Sequence, residues 1–597
     1  MRERGGWPGR ADDLALKHYA LIGDGATAAL VAVDGAIDWL CLGRFDGPAV
    51  FCRLLDARLG GCFQLAPEGA FHAAHHYLGD TNVLVTEFES DAGRLRLTDF
   101  MPLRDAGRPS AVWRKLEGLS GEVPVRLVFA PTFDFARADA RMALRPGGCS
   151  ARSGQHEVRV RFPAPMALEP WGASARLTVS AGRVYWARLS LSPEDGEPGG
   201  DEETVLRKTL GAWERWSSRG NYPGAFAGLL RRSALALKLL IHAPSGGMVA
   251  APTTSLPESP GGVRNWDYRF TWLRDASWVI NALMGLGYHD ESMAYIGWLE
   301  HLSRGRDWPA VLYALDGRAP DQEVTLGHLQ GYLGSRPVRL GNTVASQVQH
   351  DVFGEVVSAI HLCSEGMPSM RPLREGLWRL VAGLAERAAT QWREPGRGLW
   401  EVRDRARCFT SSRLMCWLAL DRAVRMARRD GLPGPLERWA LERERLRRAI
   451  LEEGYDARQG AFVRAVGDTE LDASALLLPR TGFLPADDAR MVSTVARIRE
   501  RLEGRGGLVR RYACADGLPG QEGAFTACSF WLVECLALQG RRDEAHALFE
   551  RVVRHAGGVG LLSEELGLAR GELLGNHPQA LSHLALVHAA LALAGTE

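Results

Sequence analysis

The first third of the chain alternates apolar and polar side chains with period two. Asn82-Val-Leu-Val-Thr-Glu-Phe-Glu, Arg94-Leu-Arg-Leu-Thr-Asp-Phe, Val123-Pro-Val-Arg-Leu-Val-Phe and Glu157-Val-Arg-Val-Arg-Phe carry the pattern. Successive side chains on a strand point to opposite faces, so these runs predict strands with one face buried. Gly, Asp and Pro punctuate them, which predicts an antiparallel β-sandwich over 1–202. Pro193 to Glu203, rich in Gly, Pro, Asp and Glu, reads as a loop. Val205 to Ser218 reads as a helix within a linker over 203–221.

Beyond Tyr222 the period changes to that of a helix. Twelve amphipathic segments are predicted at about 223–243, 275–286, 288–304, 343–363, 371–391, 411–430, 434–453, 471–479, 487–502, 525–538, 541–555 and 577–594. Long connections at 244–274, 305–342 and 503–524 interrupt them, and loops of that length in a compact domain are usually functional. Twelve helices suit six α/α hairpins closed into a barrel over 222–597. The count alone suits a helical solenoid equally, but no fixed-period repeat is present.

At 597 residues the chain exceeds one ordinary core, so two or more domains are expected. Net charge is +1, which leaves no electrostatic footprint for nucleic acid or an anionic membrane. Met1 to Leu14 is polar and Arg-rich, unlike a secretory signal. The apolar stretch Leu581–Ala594 is too short to span a bilayer and carries Ser582, His583 and His588. A soluble, cytoplasmic protein is expected, its oligomeric state open. The ten cysteines are scattered without a Cys-x-x-Cys or a paired His/Cys spacing, so no metal site is expected.

Candidate chemistry concentrates in Arg264-Asn-Trp-Asp-Tyr-Arg-Phe-Thr-Trp-Leu-Arg-Asp275. Four aromatics, three arginines and two aspartates fall within these twelve residues. Aromatic faces pack on pyranose C–H groups, while Asp and Arg make charge-assisted bonds to hydroxyls. The alternative is a surface turn with a local Asp–Arg network. Glu401 follows Trp400 in a loop before a helix. The indole can desolvate that carboxyl and raise its pKa, unless Arg403, Arg405 or Arg407 pairs with it. Glu564 and Glu565 stand together in a Gly-rich loop, where burying both is costly, so one is expected to reach solvent. Gln347, Asp351 and Glu355 are four apart on one face of the 343–363 segment, and Gln349 joins Asp351 only if that helix begins later. Arg511, beside Tyr512, can fork onto two hydroxyls or serve as an ion pair.

Asn265-Trp-Asp-Tyr-Arg-Phe-Thr-Trp-Leu-Arg-Asp275 resembles the signature of glycoside hydrolase family 15, the glucoamylase/trehalase-type inverting α-glucosidases. Other blocks extend the resemblance over nearly the whole chain. Tyr19–Cys41 is similar to the trehalase-type N-terminal region, and its glycines lack the nucleotide-binding spacing. Gly398-Leu-Trp-Glu-Val-Arg resembles the acid loop and Ser563-Glu-Glu-Leu-Gly567 the base loop. Gly571–Leu586 resembles the closing helix.

The resemblance implies a β-sandwich followed by an (α/α)6 barrel, and an inverting, exo-acting α-glucoside hydrolase releasing glucose from the nonreducing end. It implies Glu401 as proton donor and Glu564 as base, with Glu565 as runner-up. Asp275 and Arg274 would hold the terminal glucose, and Tyr268 and Trp272 would form the stacking wall. Gln349 and Asp351 would lie near the sugar, Trp400 beside the acid, and Arg511 and Tyr512 at the next subsite. Two carboxyls and a water suffice, so neither cofactor nor metal is expected. The N-terminal and closing blocks favour α,α-trehalase within this class. The alternatives are a glucoamylase or oligo-α-glucosidase acting on maltose- or isomaltose-type sugars, and a sugar-binding paralogue without catalysis. Asp404, Leu566, Gly567 and His577 depart from the family pattern and motivate the last reading. An inverting phosphorylase would need an anion cradle beside Glu564, and none is evident.

Overall fold

The structure is a computed structural model that describes residues 13–103, 110–191, 201–304, 309–320 and 322–595. The readings placed on residues 1–12 and on most of 193–203 lie outside the described residues.

Between Tyr19 and Ser190 the described chain forms fifteen strands, all paired antiparallel. They make two sheets that share one long strand, Ala111–Ala130. Its first half pairs with Gly93–Phe100 and Val184–Ser190. Its second half pairs with Cys62–Pro67 and Gly172–Ser180. The switch falls at Gly121, whose φ is +72° and where a Cβ would lie 2.1 Å from the carbonyl oxygen of Ala92. Only glycine meets both demands. The four alternating runs are strands as expected. Tyr19–Gly23, Ala28–Ala32 and Ala36–Cys41 are also strands, but buried on both faces. Such strands show no alternation for period two to detect.

Arg114 holds the shared strand from within. It is fully buried, donates to both oxygens of Asp99 at 2.7 and 3.0 Å, and donates to the carbonyls of Phe63 and Gly35 at 2.9 and 2.7 Å. Its guanidinium also lies over the Phe63 ring. Arg114→Met leaves a carboxylate buried without its partner, so about 3–5 kcal/mol of unfolding free energy should be lost. Urea denaturation of the two proteins measures this, and a loss below 1 kcal/mol would contradict it.

Among the described residues twelve α-helices follow: α1 (Glu202–Ser217), α2 (Ala227–Leu240), α3 (Leu273–Gly285), α4 (His289–Leu302), α5 (Asp351–Gly366), α6 (Glu375–Gln391), α7 (Thr410–Asp430), α8 (Leu436–Glu453), α9 (Ala489–Leu502), α10 (Thr526–Leu538), α11 (Arg542–Val553) and α12 (Ala580–Gly595). Two of the expected segments differ. Residues 343–346 form a short 3-10 turn, the chain extends at Gln347, and α5 starts only at Asp351. Gln347 therefore shares no helix face with Asp351 and Glu355. The 471–479 segment is likewise a 3-10 turn, Ala473–Leu477. Asn342 accepts from the Val344 N–H, and Asp472 from the Ser474 N–H. Such local side-chain bonds offer the backbone an alternative to a regular helix.

The helices pack in two tiers. α3 packs on α5, α5 on α7, and α12 on both α3 and α10, while the Ala473–Leu477 turn touches α7 and α10. Outside them, α2 packs on α12, α4 on α3, α6 and α8 on α7, α9 on the turn and α11 on α10. α10 and α12 are buried on nearly every side. An all-round apolar helix belongs in an interior.

The sheets and the helices share one continuous apolar core. Trp39 Nε1 donates to the Pro252 carbonyl at 2.8 Å, and Asn82 Nδ2 to that of Leu235 at 3.1 Å. No helix among the described residues is long and apolar enough to cross a membrane.

Candidate active site

The three long connections expected to be functional converge on one pocket, together with the loop that precedes α7. Glu258, Trp266 and Tyr268 line it from the first connection, Asn342 from the second, Arg511 and Tyr512 from the third, and Trp400 and Glu401 from the fourth loop. A short hairpin, Thr254–Pro257 against Asn265–Asp267, shapes the first.

The residues of the signature divide by what they touch. Asp267 is fully buried, accepts from Arg269 Nε at 2.9 Å and Nη2 at 2.7 Å, and accepts the Gly341 N–H at 3.0 Å. Arg269 then donates to the Gly47 carbonyl of the N-terminal part at 2.8 Å. Arg264 forks onto Asp516 at 2.7 and 2.8 Å. These three form scaffold. Tyr268 and Trp272 meet edge to face with centroids 5.1 Å apart. The Tyr268 hydroxyl donates to Glu564 Oε1 at 2.5 Å, and Trp272 Nε1 donates to Glu401 Oε1 at 2.7 Å. One aromatic pair thus holds a different carboxyl at each end.

Glu401 has φ +58°, a left-handed backbone that costs a non-glycine residue energy and is held by its surroundings. Burial raises the pKa of its carboxyl, while the Arg274 guanidinium and the Trp272 hydrogen bond oppose the rise. Arg274 Nη1 lies 3.4 Å from Glu401 Oε1 and donates to the Leu399 carbonyl at 2.6 Å, and Nε donates to Asp275 at 2.6 Å. The cation nearest the Glu401 carboxyl is therefore Arg274. Arg403 instead covers the Trp266 ring at 3.9 Å, and Arg407 pairs with Asp404 and Asp468. Trp400 lines the pocket, but its indole N–H turns away from Glu401 and donates to both oxygens of Asp472, at 2.8 and 3.0 Å.

Glu564 is buried, and burial raises its pKa above the usual carboxylate range; the Tyr268 hydrogen bond and the Arg511 charge act against the rise. The Asn576 N–H donates to its second oxygen at 3.4 Å. Glu565 does not reach solvent as expected; it is fully buried too. Its carboxylate accepts the Gly523 N–H at 2.8 Å and lies 3.6 Å from Arg511. The neighbours are tolerated because they have separate partners and Arg511 supplies a nearby positive charge. Leu566, a departure from the family pattern, is buried and pairs with Leu573 in a small hairpin.

The Arg511 fork is engaged by carboxylates: Glu522 at 2.6 Å and Glu258 at 3.1 Å. The Tyr512 hydroxyl donates to Asp516 at 2.9 Å. Among the described residues, Glu258, Glu522 and Glu565 are the one group close enough to share a cation, and Arg511 Nη2 contacts all three. Asp351 and Glu355 are wholly buried on α5, and burial raises both carboxyls. The charges of Asp275 and Asp351 in turn push up Glu401. Gln349 precedes α5, and its amide donates to Gln347 Oε1 at 3.1 Å, while Gln347 reaches the Glu401 carbonyl at 3.5 Å.

Three residues of this site were not singled out by the sequence reading: Glu258, Asp472 and Asn576. Asn576 Nδ2 donates to the Trp266 carbonyl at 3.0 Å, and its Oδ1 accepts from Thr253 at 2.9 Å, which ties the base loop to the signature. None sits in a patterned cluster. His577, the fourth departure, is buried and neutral, its pKa pushed down to about 4 by burial.

The Tyr268 bond gives a direct prediction. Tyr268→Phe removes a donor that favours the charged form of Glu564, so its pKa rises further. The acidic limb of kcat/KM should move to higher pH by about one unit, the worth of one charge-assisted hydrogen bond. A pH profile with an unmoved acidic limb would show that the bond does not tune this carboxyl.

A partly buried Glu401, a buried Glu564, an aromatic pair bonded to both and a polar pocket are the kind of parts that glycoside cleavage needs. Comparison with known proteins agrees. Residues 224–591 match the model of glycosyl hydrolases family 15, and residues 2–170 match a trehalase-like N-terminal domain. A trehalase of Thermoplasma volcanium is 35% identical over 96% of this chain and 93% of its own length. A trehalase of Mycolicibacterium smegmatis is 36% identical over 96% of this chain and 90% of its own. A bacterial glucoamylase solved with acarbose superposes with a TM-score of 0.72 at 14% identity, covering 99% of this chain and 96% of the other. The chain belongs to glycosyl hydrolase family 15 and is a glycoside hydrolase.

Proposed function

We propose that the protein is an inverting α,α-trehalase. The observation that carries the reading is the pair of carboxyls bonded to the Tyr268–Trp272 pair: Glu401 lines the pocket, and Glu564 is bonded to Tyr268, which lines the same pocket. Glu401 protonates the oxygen between the two glucose units. Glu564 takes a proton from the water that attacks the anomeric carbon from the opposite face. Asp275 and Arg274 hold the terminal glucose, with Gln349 and Asp351 behind them. Trp400, Arg511 and Tyr512 shape the second subsite, where Glu258 also lines the wall. The relatives named trehalase, similar over nearly their whole length, support the same substrate.

The architecture we infer is an antiparallel β-sandwich over 1–202, a linker over 203–221 and an (α/α)6 barrel over 222–597. The packing of α12 on α3 supports closure, with the Ala473–Leu477 turn standing where one inner helix would be.

Glucose release from trehalose, maltose, isomaltose and maltotriose tests the substrate. Trehalose should be cleaved at least about tenfold faster than the others, a margin one buried hydrogen bond supplies. Preference for the maltose series would make the enzyme a glucoamylase, and no release from any would leave a sugar-binding protein. The raised carboxyls also set the pH dependence. Glu564 must be charged to act, so activity is lost as pH falls through its pKa. Glu401 must be protonated, so activity is lost as pH rises through its own. The acidic midpoint of kcat/KM should therefore lie above about 5, not near the ordinary glutamate value of about 4.3.

A further inference from the structure

A second cavity, of about 520 Å³, opens among the inner helices away from the catalytic carboxyls. Asp275 stands in the first turn of α3, whereas Asn281 and Met284 in its last turns line this cavity. Ten residues of helix separate Asp275 from Gly285, roughly 15 Å at 1.5 Å per residue. Trp531 stands between the two spaces, its ring 5.8 Å from that of Trp400 in the catalytic pocket and 5.9 Å from that of Trp278 in the cavity. The mechanism uses none of the cavity's residues.

Its lining combines a flat apolar wall with converging donors. Trp278, Met415 and Leu418 supply the wall. His361 comes from α5, Arg422 from α7, Arg480 from the segment after the Ala473–Leu477 turn, and His588 from α12. No carboxylate lines the cavity among the described residues. Each guanidinium is already held by part of its N–H groups. Arg480 Nε lies 3.0 Å from Glu534, Arg422 Nη1 donates to Asp421 at 2.6 Å, and Arg422 Nη2 donates to the Thr481 carbonyl at 2.9 Å. Five N–H donors on each arginine leave others free to face a ligand. Asn281 Oδ1 is buried with no partner among the described residues, and a flip of the amide presents its NH₂ instead. The imidazoles report the local field. Burial and the charges of Arg422, Arg429 and Arg425 push His361 down to about 4, with Glu365 opposing, and burial with Arg480 pushes His588 down as well.

We propose that this cavity is a second binding site, for a small organic anion with a flat apolar body that lies on Trp278 and directs a carboxylate or phosphate ester at Arg480 and Arg422. An arginine fixed by a carboxylate is preorganised to grip an oxyanion with its remaining N–H groups. The cavity is large enough for a two-ring body.

Calorimetric titration of the full-length protein with 2-naphthoate, 2-naphthyl phosphate and neutral 2-naphthalenemethanol tests this. At least one of the two anions should bind about tenfold or more tighter than the alcohol, the margin of one charge-assisted hydrogen bond. Which anion binds tighter identifies the head group. Arg480→Gln should remove that margin while leaving kcat on trehalose unchanged. Leu362→Trp, which fills the cavity mouth and keeps every charge, should abolish binding of both anions and serves if the arginine variant does not fold. Equal binding of anions and alcohol, no binding at all, or anion binding that survives Leu362→Trp would overturn the proposal.

Discussion

Glu401→Gln should lower kcat on trehalose by about 10³–10⁴, the upper part of what a positioned general acid contributes. The amide keeps the shape of the carboxyl and can still accept from Trp272 Nε1, so KM should change little. The substitution removes only the proton that the leaving oxygen needs. α-Glucosyl fluoride separates this from a general loss of structure, because fluoride leaves without protonation. Glu401→Gln should hydrolyse the fluoride at a rate close to wild type. Equal loss on both substrates would mean that Glu401 does something other than donate a proton.

Glu564→Gln should lower turnover of trehalose by a similar factor of about 10³–10⁴, and here the fluoride should not rescue it. Water must be activated whatever the leaving group, and an amide cannot take the proton. Glu565→Gln is the matching control. Its carboxylate faces Gly523 and Arg511, away from the Tyr268–Trp272 pair, so its effect should be far smaller. If Glu565→Gln were silent on neither substrate while Glu564→Gln stayed active, the base would be the second glutamate of the loop.

The sequence announced the site's chemistry better than its geometry. The dense signature around Tyr268 and Trp272 identified the pocket, because aromatics mixed with Arg and Asp are hard to place in an ordinary core. The same signature could not say which of its charges are scaffold. Asp267 and Arg269 satisfy each other and the N-terminal part, a matter of partners more than two hundred residues away along the chain. Trp400 was read as the neighbour that desolvates Glu401; its indole N–H serves Asp472, and the hydrogen bond to Glu401 comes from Trp272. Strands with one exposed face were legible by alternation, while strands buried on both faces, such as Ala28–Ala32, carry no alternation to read. Helices were legible wherever periodicity ran uninterrupted. The two exceptions lie where Asn342 and Asp472 cap short turns and break regularity that composition alone suggests.

The central claim is that two carboxyls flank one glycosidic bond, one giving a proton and the other activating water from the opposite face. Proton NMR of the first seconds of trehalose hydrolysis, before the anomers interconvert, tests it most directly. Inversion at the attacked carbon releases β-glucose from one half of the sugar, while the other half leaves as α-glucose, so equal amounts of the two anomers should appear first. α-Glucose alone at early times would show retention, and would contradict the roles given to Glu401 and Glu564.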